Sequence, residues 1–153
     1  MTTQEMILQE LRSDTQHLGV LSTVNEEGHP QSASMYYVFG DDLALYFVTR
    51  EGSRKYLNIL KNPHVSFVVT REHPAHTLQF EGVAHEVTDA HEENEYFSRL
   101  VTLAVESNFV PPVSQRVSEG RIMFIKMTPT WVRVGNFETS IGGDEFSEEV
   151  IES

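Results

Sequence analysis

The chain has 153 residues, 39% of them hydrophobic and 22% charged, a balance that suits one globular domain with a sizeable core. Its formal net charge of -12 argues against duplex nucleic acid and anionic membrane surfaces as partners, but a local anion site can still override the global field. There is no cysteine, which excludes disulfides, thiolate nucleophiles and cysteine metal sites.

The opening stretch, Met1-Thr2-Thr3-Gln4-Glu5, is polar and acidic and leads into no long apolar run. Neither a signal peptide nor a transmembrane segment is expected, and the expected location is cytoplasmic. Residues 3–13 read as a helix with Met6, Ile7, Leu8 and Leu11 near one face. Residues 18–24 predict a mostly buried strand, and Asn25-Glu26-Glu27-Gly28 a hairpin turn. The chain returns over residues 31–39, a strand ending in Met35, Tyr36, Tyr37, Val38 and Phe39. After the turn Gly40-Asp41-Asp42, residues 43–49 form a third strand rich in aromatic and β-branched types. A short helix at 53–61 stops before Asn62-Pro63. Residues 64–70 and 77–88 read as a fourth and a fifth strand. Asp89-Ala90-His91 opens a helix at about 90–106 whose acidic first turn suits its dipole. Pro111-Pro112 is a connector, and residues 121–134 give a last long strand, interrupted near Pro129. From Gly142-Gly143-Asp144 onward the chain is acidic and reads as a loosely attached, solubilising tail. Strands in such close succession predict antiparallel pairing in a small barrel, one domain over residues 1–153.

The chemically distinctive feature is the turn Gly52-Ser53-Arg54-Lys55, between a strand and a helix. Arg and Lys in a first helical turn oppose the helix dipole, and this acidic chain has few cations. Ser53 can cap the helix, whose free N–H groups point outward. With Arg50 close by and a hydroxyl from Thr49, the turn describes an anion site, and phosphate is the anion it suits best. The alternative is a capped surface helix with two solvated cations. The turn is not a P-loop, since Gly-x-x-x-x-Gly-Lys-Ser/Thr is absent, and Gly40 to Gly52 offers no dinucleotide fingerprint.

Other signals are weaker. Trp131 is the only tryptophan, and it reads either as a ring-stacking residue beside Arg133 or as an ordinary amphipathic core residue. Of Tyr36 and Tyr37, alternation sends one to the core and one outward. His73 and His76 straddle Pro74 near Glu72 and Glu81, but a metal site needs a fuller ligand set, so a surface loop is expected there. His91-Glu92-Glu93-Asn94-Glu95 is no zincin motif, and no Gly-x-Ser-x-Gly elbow is present.

Taken together, Leu45-Tyr46-Phe47-Val48-Thr49, Gly52-Ser53-Arg54-Lys55 and Asn62-Pro63-His64-Val65-Ser66 resemble the FMN-binding split-barrel family of the pyridoxamine 5′-phosphate oxidases. The likeness is good over residues 15–90 and weak beyond. It implies a mainly β fold with peripheral helices, a six-stranded antiparallel split β-barrel that forms a homodimer with FMN at the subunit interface. By resemblance, Arg54 and Lys55 hold the FMN phosphate with Ser53, and Val48 and Thr49 contact the cofactor from the strand end. Residues 34–38, with Tyr36 and Tyr37, lie along the flavin ring, and Trp131 lines it. A family glutamine falls on Thr77, with Gln79 two residues on as a substitute. The family oxidase's second strand carries cations where Ser32-Ala33-Ser34-Met35-Tyr36-Tyr37-Val38 has none. Its C-terminal Arg-x-His substrate grip has no counterpart after Trp131-Val132-Arg133. The expectation is therefore a general-stress-type member and not the oxidase itself: an FMN-dependent oxidoreductase acting on a small substrate. A non-catalytic flavin-binding, storage or sensor protein remains open, as does the same barrel with deazaflavin or with haem, for which His64 or His85 would have to face the cavity.

Overall fold

The computed structural model describes residues 1–73, 75–106, 121–137 and 146–151. Helix α1 (Thr3–Ser13) starts with a reciprocal capping box between Thr2 and Glu5 and buries Ile7, Leu8 and Leu11. Strands β1 (Leu18–Val24) and β2 (Pro30–Tyr36) form a hairpin, β3 (Val38–Phe39) is short, and β4 (Leu45–Arg50) leads into helix α2 (Arg54–Lys61). Strands β5 (His64–Glu72) and β6 (Ala75–Glu86) precede helix α3 (Ala90–Glu106), followed by β7 (Ile122–Asn136) and β8 (Phe146–Val150). The strands form one antiparallel sheet in the order β2-β1-β5-β6-β7-β4-β3, with β8 paired to β7. Among the described residues no helix is long and apolar enough to cross a membrane.

Three sequence expectations need correction. The predicted strand at 31–39 is broken at Tyr37: β2 pairs with β1, and β3 pairs with β4 at the other end of the sheet. One short segment thus serves both ends of the sheet, so the sheet must curl, giving the split-barrel form. The last long strand is not interrupted at Pro129. Gly82 faces that proline across a register shift, and a Cβ on Gly82 would lie 2.3 Å from the Thr128 carbonyl oxygen. The strand absorbs its proline because the partner strand removed a side chain. Finally, residues 146–150 are not a loose tail: β8 pairs with β7 from Trp131 to Gly135. The Pro111-Pro112 connector lies outside the described residues.

Inward-facing residues fill the barrel. Leu21, Tyr37, Leu45, Phe47, Phe67, Leu78, Phe80 and Ile125 are all almost fully buried, and α1 adds Ile7 and Leu11. A second, smaller cluster packs α3 on the outside through Leu100 and Leu103 against Val38, Tyr46 and Phe124. There the Glu92 carboxylate accepts from the Tyr46 hydroxyl at 2.9 Å and pairs with Lys126 at 2.9 Å. Tyr46 stacks on Tyr96 with ring centroids 3.8 Å apart.

The break at Tyr37 is fixed by a buried polar network. Its N–H donates to the His17 carbonyl at 3.0 Å, and its hydroxyl donates to Asp14 at 2.7 Å. Arg71 grips the same carboxylate through two nitrogens at 2.8 and 2.9 Å and also donates to the Leu18 carbonyl at 2.7 Å. Burial by itself would raise the Asp14 pKa. The hydrogen bonds from Arg71, Tyr37 and the Gln16 N–H outweigh it and hold the carboxyl below its ordinary value.

Two predictions follow from these contacts. Replacing Asp14 by Ala strands a buried guanidinium and should cost about 3–5 kcal/mol in urea unfolding at neutral pH. Because the folded pKa is depressed, the stabilisation is present above the unfolded carboxyl value of about 4 and is lost as pH falls through the folded value. The Asp14→Ala penalty should therefore shrink on acidification below about pH 4, and a penalty independent of pH would contradict the charged pairing. Gly82→Ala should destabilise the β6–β7 ladder, read as faster amide exchange along both strands.

Candidate functional site

The Gly-Ser-Arg-Lys turn forms because β4 ends at Arg50 and the Ser53 N–H closes back on the Arg50 carbonyl at 3.0 Å. Ser53 caps α2, its hydroxyl accepting from the Tyr56 N–H at 3.3 Å. The same hydroxyl lies 2.7 Å from that of Thr49, so the strand end and the helix cap are joined. Buried Tyr56 and Ile59 seat α2 on the barrel. Asn58, which sequence reasoning passed over, is also buried and donates to Thr23 at 3.0 Å and Gln31 at 2.9 Å. A polar residue in the apolar phase of a short helix was the available signal.

Ser53 and Lys55 are half-buried and Arg54 is exposed. Burial lowers the Lys55 pKa, and Arg50 and Arg54 lower it further. Val48 is half-buried on the outer side of β4, beside the second cluster, and Thr49 is buried. Val48, Thr49, Ser53, Arg54 and Lys55 therefore belong to one strand-turn-helix unit.

The other expected site residues lie elsewhere. The outer face of the sheet carries two side-chain rows. One runs Ser34, Val20, Val68, Gln79, Arg133, Glu148, and the next Ser32, Ser22, Ser66, Glu81, Trp131, Val150. Gln79 accepts from Arg133 at 2.8 Å. Arg133 lies between the rings of Trp131 and Phe146, 5.4 and 4.5 Å from their centroids, and 3.7 Å from Glu148. The Trp131 indole N–H donates to Glu148 at 3.4 Å. Thr77 shares this face but is buried, with its hydroxyl 3.3 Å from that of Thr70. Of residues 34–38, Met35 and Tyr37 are in the core and Val38 is in the second cluster, leaving Ser34 and half-buried Tyr36 on the outer side. Tyr37 is fully enclosed and committed to Asp14, so it cannot line a ring lying outside the barrel. Arg133 and its carboxylate neighbour on β8 were the residues sequence reasoning undervalued, because β8 was read as tail.

The two groups meet β7 at different places along its length. Arg50 pairs with Ile122 at the start of β7, whereas Gln79 pairs with Arg133 near its end. The intervening strand is on the order of 35 Å long.

The histidines do not gather. His73 is exposed, while His76 is buried with Nδ1 3.6 Å from Glu10. His64 and His85 are both exposed. Among the described residues no three His, Cys, Asp or Glu side chains group as a metal site.

Residues 5–135 match the family model described as pyridoxamine 5′-phosphate oxidase. The chain belongs to that family. Solved members of this fold are similar along most of their length. General Stress Protein 26 from Bacillus anthracis is 24% identical, with 88% of this chain and 94% of that one covered at a TM-score of 0.65. A pyridoxamine 5′-phosphate oxidase-related, FMN-binding protein from Nostoc punctiforme is 14% identical, with 100% and 98% covered at a TM-score of 0.65. An F420 reductase is 21% identical, with 75% and 87% covered at a TM-score of 0.59. No curated protein matches the chain. At these identities the family's fold is what is shared, and the split-barrel form matches it.

If Ser53 caps α2 as the geometry has it, Ser53→Ala should lose about 1 kcal/mol of stability in denaturant unfolding. Thr49→Val removes the partner hydroxyl and not the cap, and should cost less.

Proposed function

We propose that the protein binds FMN between the two subunits of a homodimer and acts as a flavin oxidoreductase on a small substrate. One observation carries this reading. Arg50, Arg54 and Lys55 are gathered at one turn of a chain with net charge -12, where burial first, and then the two arginines, lower the pKa of Lys55. Repulsion among cations is a cost to the fold that a bound dianion such as a phosphate monoester would reverse. Membership of the family makes FMN the phosphate ester of choice.

In this reading Lys55 and Arg54 bind the phosphate, and the Ser53–Thr49 pair fixes the turn that presents them. Gln79 and Trp131 lie towards the other end of β7 from the partner of Arg50, and in this reading a second copy supplies them. Trp131 would cover the flavin ring, and Gln79, oriented by Arg133, would face its polar edge; Tyr36, two residues before the Val38–Tyr46 pairing, belongs with the cation turn. Bound flavin would supply the electron transfer, so the chain needs no cysteine or acid–base pair of its own. These residues bind, orient and exclude water.

A second reading, flavin binding without turnover, has one observation in its favour. Arg133, the cation nearest the proposed ring site, is already engaged by Gln79 and Glu148 and leaves no obvious substrate anchor. The F420 reductase among the relatives makes a deazaflavin the alternative occupant. Exposed His64 and His85 offer no enclosed axial ligand for haem.

Titration of FMN fluorescence tests the cofactor. Arg54→Ala with Lys55→Ala should weaken binding by about 3 kcal/mol or more, roughly a hundredfold. Unchanged affinity would remove the phosphate role. Bleaching of bound FMN by NADH or NADPH, with reoxidation by an added acceptor, separates turnover from storage. Mixing tests the shared site. Arg54→Ala/Lys55→Ala subunits and Trp131→Ala subunits should each bind FMN poorly, and their mixture should regain one good site per heterodimer. A mixture no better than its parts would exclude a site built across two subunits.

A further inference from the structure

A cleft of about 490 Å³ opens between the end of α1, strand β3 and helix α3, within the size range of small-molecule sites. It is separate from the cation turn: β3 pairs with the first residues of β4, and the turn follows the last. Val38, Phe39 and Leu103 give it an apolar floor, and Ser98 and Thr102 put hydroxyls on the α3 wall. Arg12 from α1 and Arg99 from α3 contribute to opposite walls, and His17 lies on the α1 side.

Arg99 is the better anchored of the two arginines. Arg99 donates to the Phe39 carbonyl at 3.3 Å and to Glu95 at 2.9 Å, and its guanidinium lies 4.7 Å from the Tyr96 ring centroid. Arg12 meets Asp41 at 3.2 Å in a pair largely open to water, which contributes little and yields readily to a better anion. His17 is held in the left-handed region at φ 51, against the buried Asp14–Tyr37–Arg71 network. Burial and Arg71 outweigh the pull of Asp14 and keep its pKa below the ordinary value. Its Nδ1 is enclosed without a hydrogen-bond partner. The neutral ring is then better with Nδ1 as a bare acceptor and the proton on Nε2, since an orphaned donor costs more than an under-used acceptor.

We propose that this cleft is a binding site for a small organic monocarboxylate with an apolar body, its carboxylate held between Arg12 and Arg99 and its body on Val38, Phe39 and Leu103. Arginine's planar fork suits a carboxylate, and an apolar floor beneath suits a ring or short chain. Asp41 and Glu106 also line the cleft and repel a second negative charge, which disfavours dicarboxylates and phosphate esters. Occupancy has a mechanical consequence. Helix α3 buries only Leu100 and Leu103 fully, so a ligand clasped between α1 and α3 would add to its attachment.

Benzoate is a suitable probe, followed by thermal unfolding and by amide exchange on α3. Benzoate should give saturable stabilisation and slow exchange along α3. Benzamide, the uncharged isostere, and phthalate, the dianion, should bind at least tenfold more weakly. Arg99→Gln should lose at least tenfold in benzoate affinity while its FMN titration stays as in the parent protein. Should Arg99→Gln not fold, Arg12→Gln on the other wall should show the same loss. Benzoate binding no better than benzamide, or equal binding to the parent and to the folded Arg variant, would overturn the proposal. A protein that takes no FMN yet binds benzoate through Arg99 would refute the flavin reading and leave this one standing.

Discussion

The barrel depends on a change of strand partner at Tyr37. A single run of chain serves β1 on one side of that residue and β4 on the other, at opposite ends of the sheet. The sheet has to curl for both pairings to exist, and the Asp14–Arg71–Tyr37 contacts hold the point where it does. Curling has a second effect. The interior closes around Tyr37, Phe47, Phe67 and Phe80 and is filled by their rings. The cation turn and the Gln79–Arg133–Trp131 group are on the strand ends and the outer face, outside that filled interior.

The two electrostatic centres of the molecule solve opposite problems. At Asp14 a buried carboxylate is surrounded by donors and its charge is fully answered. At Lys55 burial lowers the pKa and the like charges of Arg50 and Arg54 lower it further. Backbone geometry enforces the second arrangement: the turn closed by Ser53 and Arg50, together with the capped first helical turn, leaves Arg54 and Lys55 where they stand. In the proposed reading the cost of gathering the cations is met before the phosphate arrives.

Much of this was legible in the sequence. Alternation, glycine turns and the Ser53 cap placed nearly every element, because those signals are local. What escaped is non-local. Nothing around Tyr37 announces that its two neighbours belong to different strands, since the break is imposed by Asp14 and Arg71, distant in sequence. Pro129 looked like an interruption because the compensating glycine, Gly82, lies on another strand. The acidic composition of residues 146–150 suggested a solvated tail, whereas pairing with β7 needs only backbone and sets Glu148 beside Arg133. At the candidate site the sequence identified the cation turn correctly as one unit. It also assigned Gln79 and Trp131 to the same ligand, without a means of seeing where along β7 they lie relative to that turn.

That separation gives the outer face its meaning. Ser22, Ser32, Ser34 and Ser66 carpet the region next to Gln79 and Trp131 with short side chains, and Val20 is exposed among them. Short side chains let another surface approach closely, and serine hydroxyls can exchange water for hydrogen bonds across a contact; within the chain Ser22 and Ser32 lie 3.1 Å apart on β1 and β2. A two-fold contact on such a face is self-complementary. It would carry the cation turn of one copy towards the tryptophan face of the other, and each copy would complete the site its partner lacks. On that argument the small residues of the sheet are as much a part of the proposed cofactor site as the cations are, because they set how near the two halves can come.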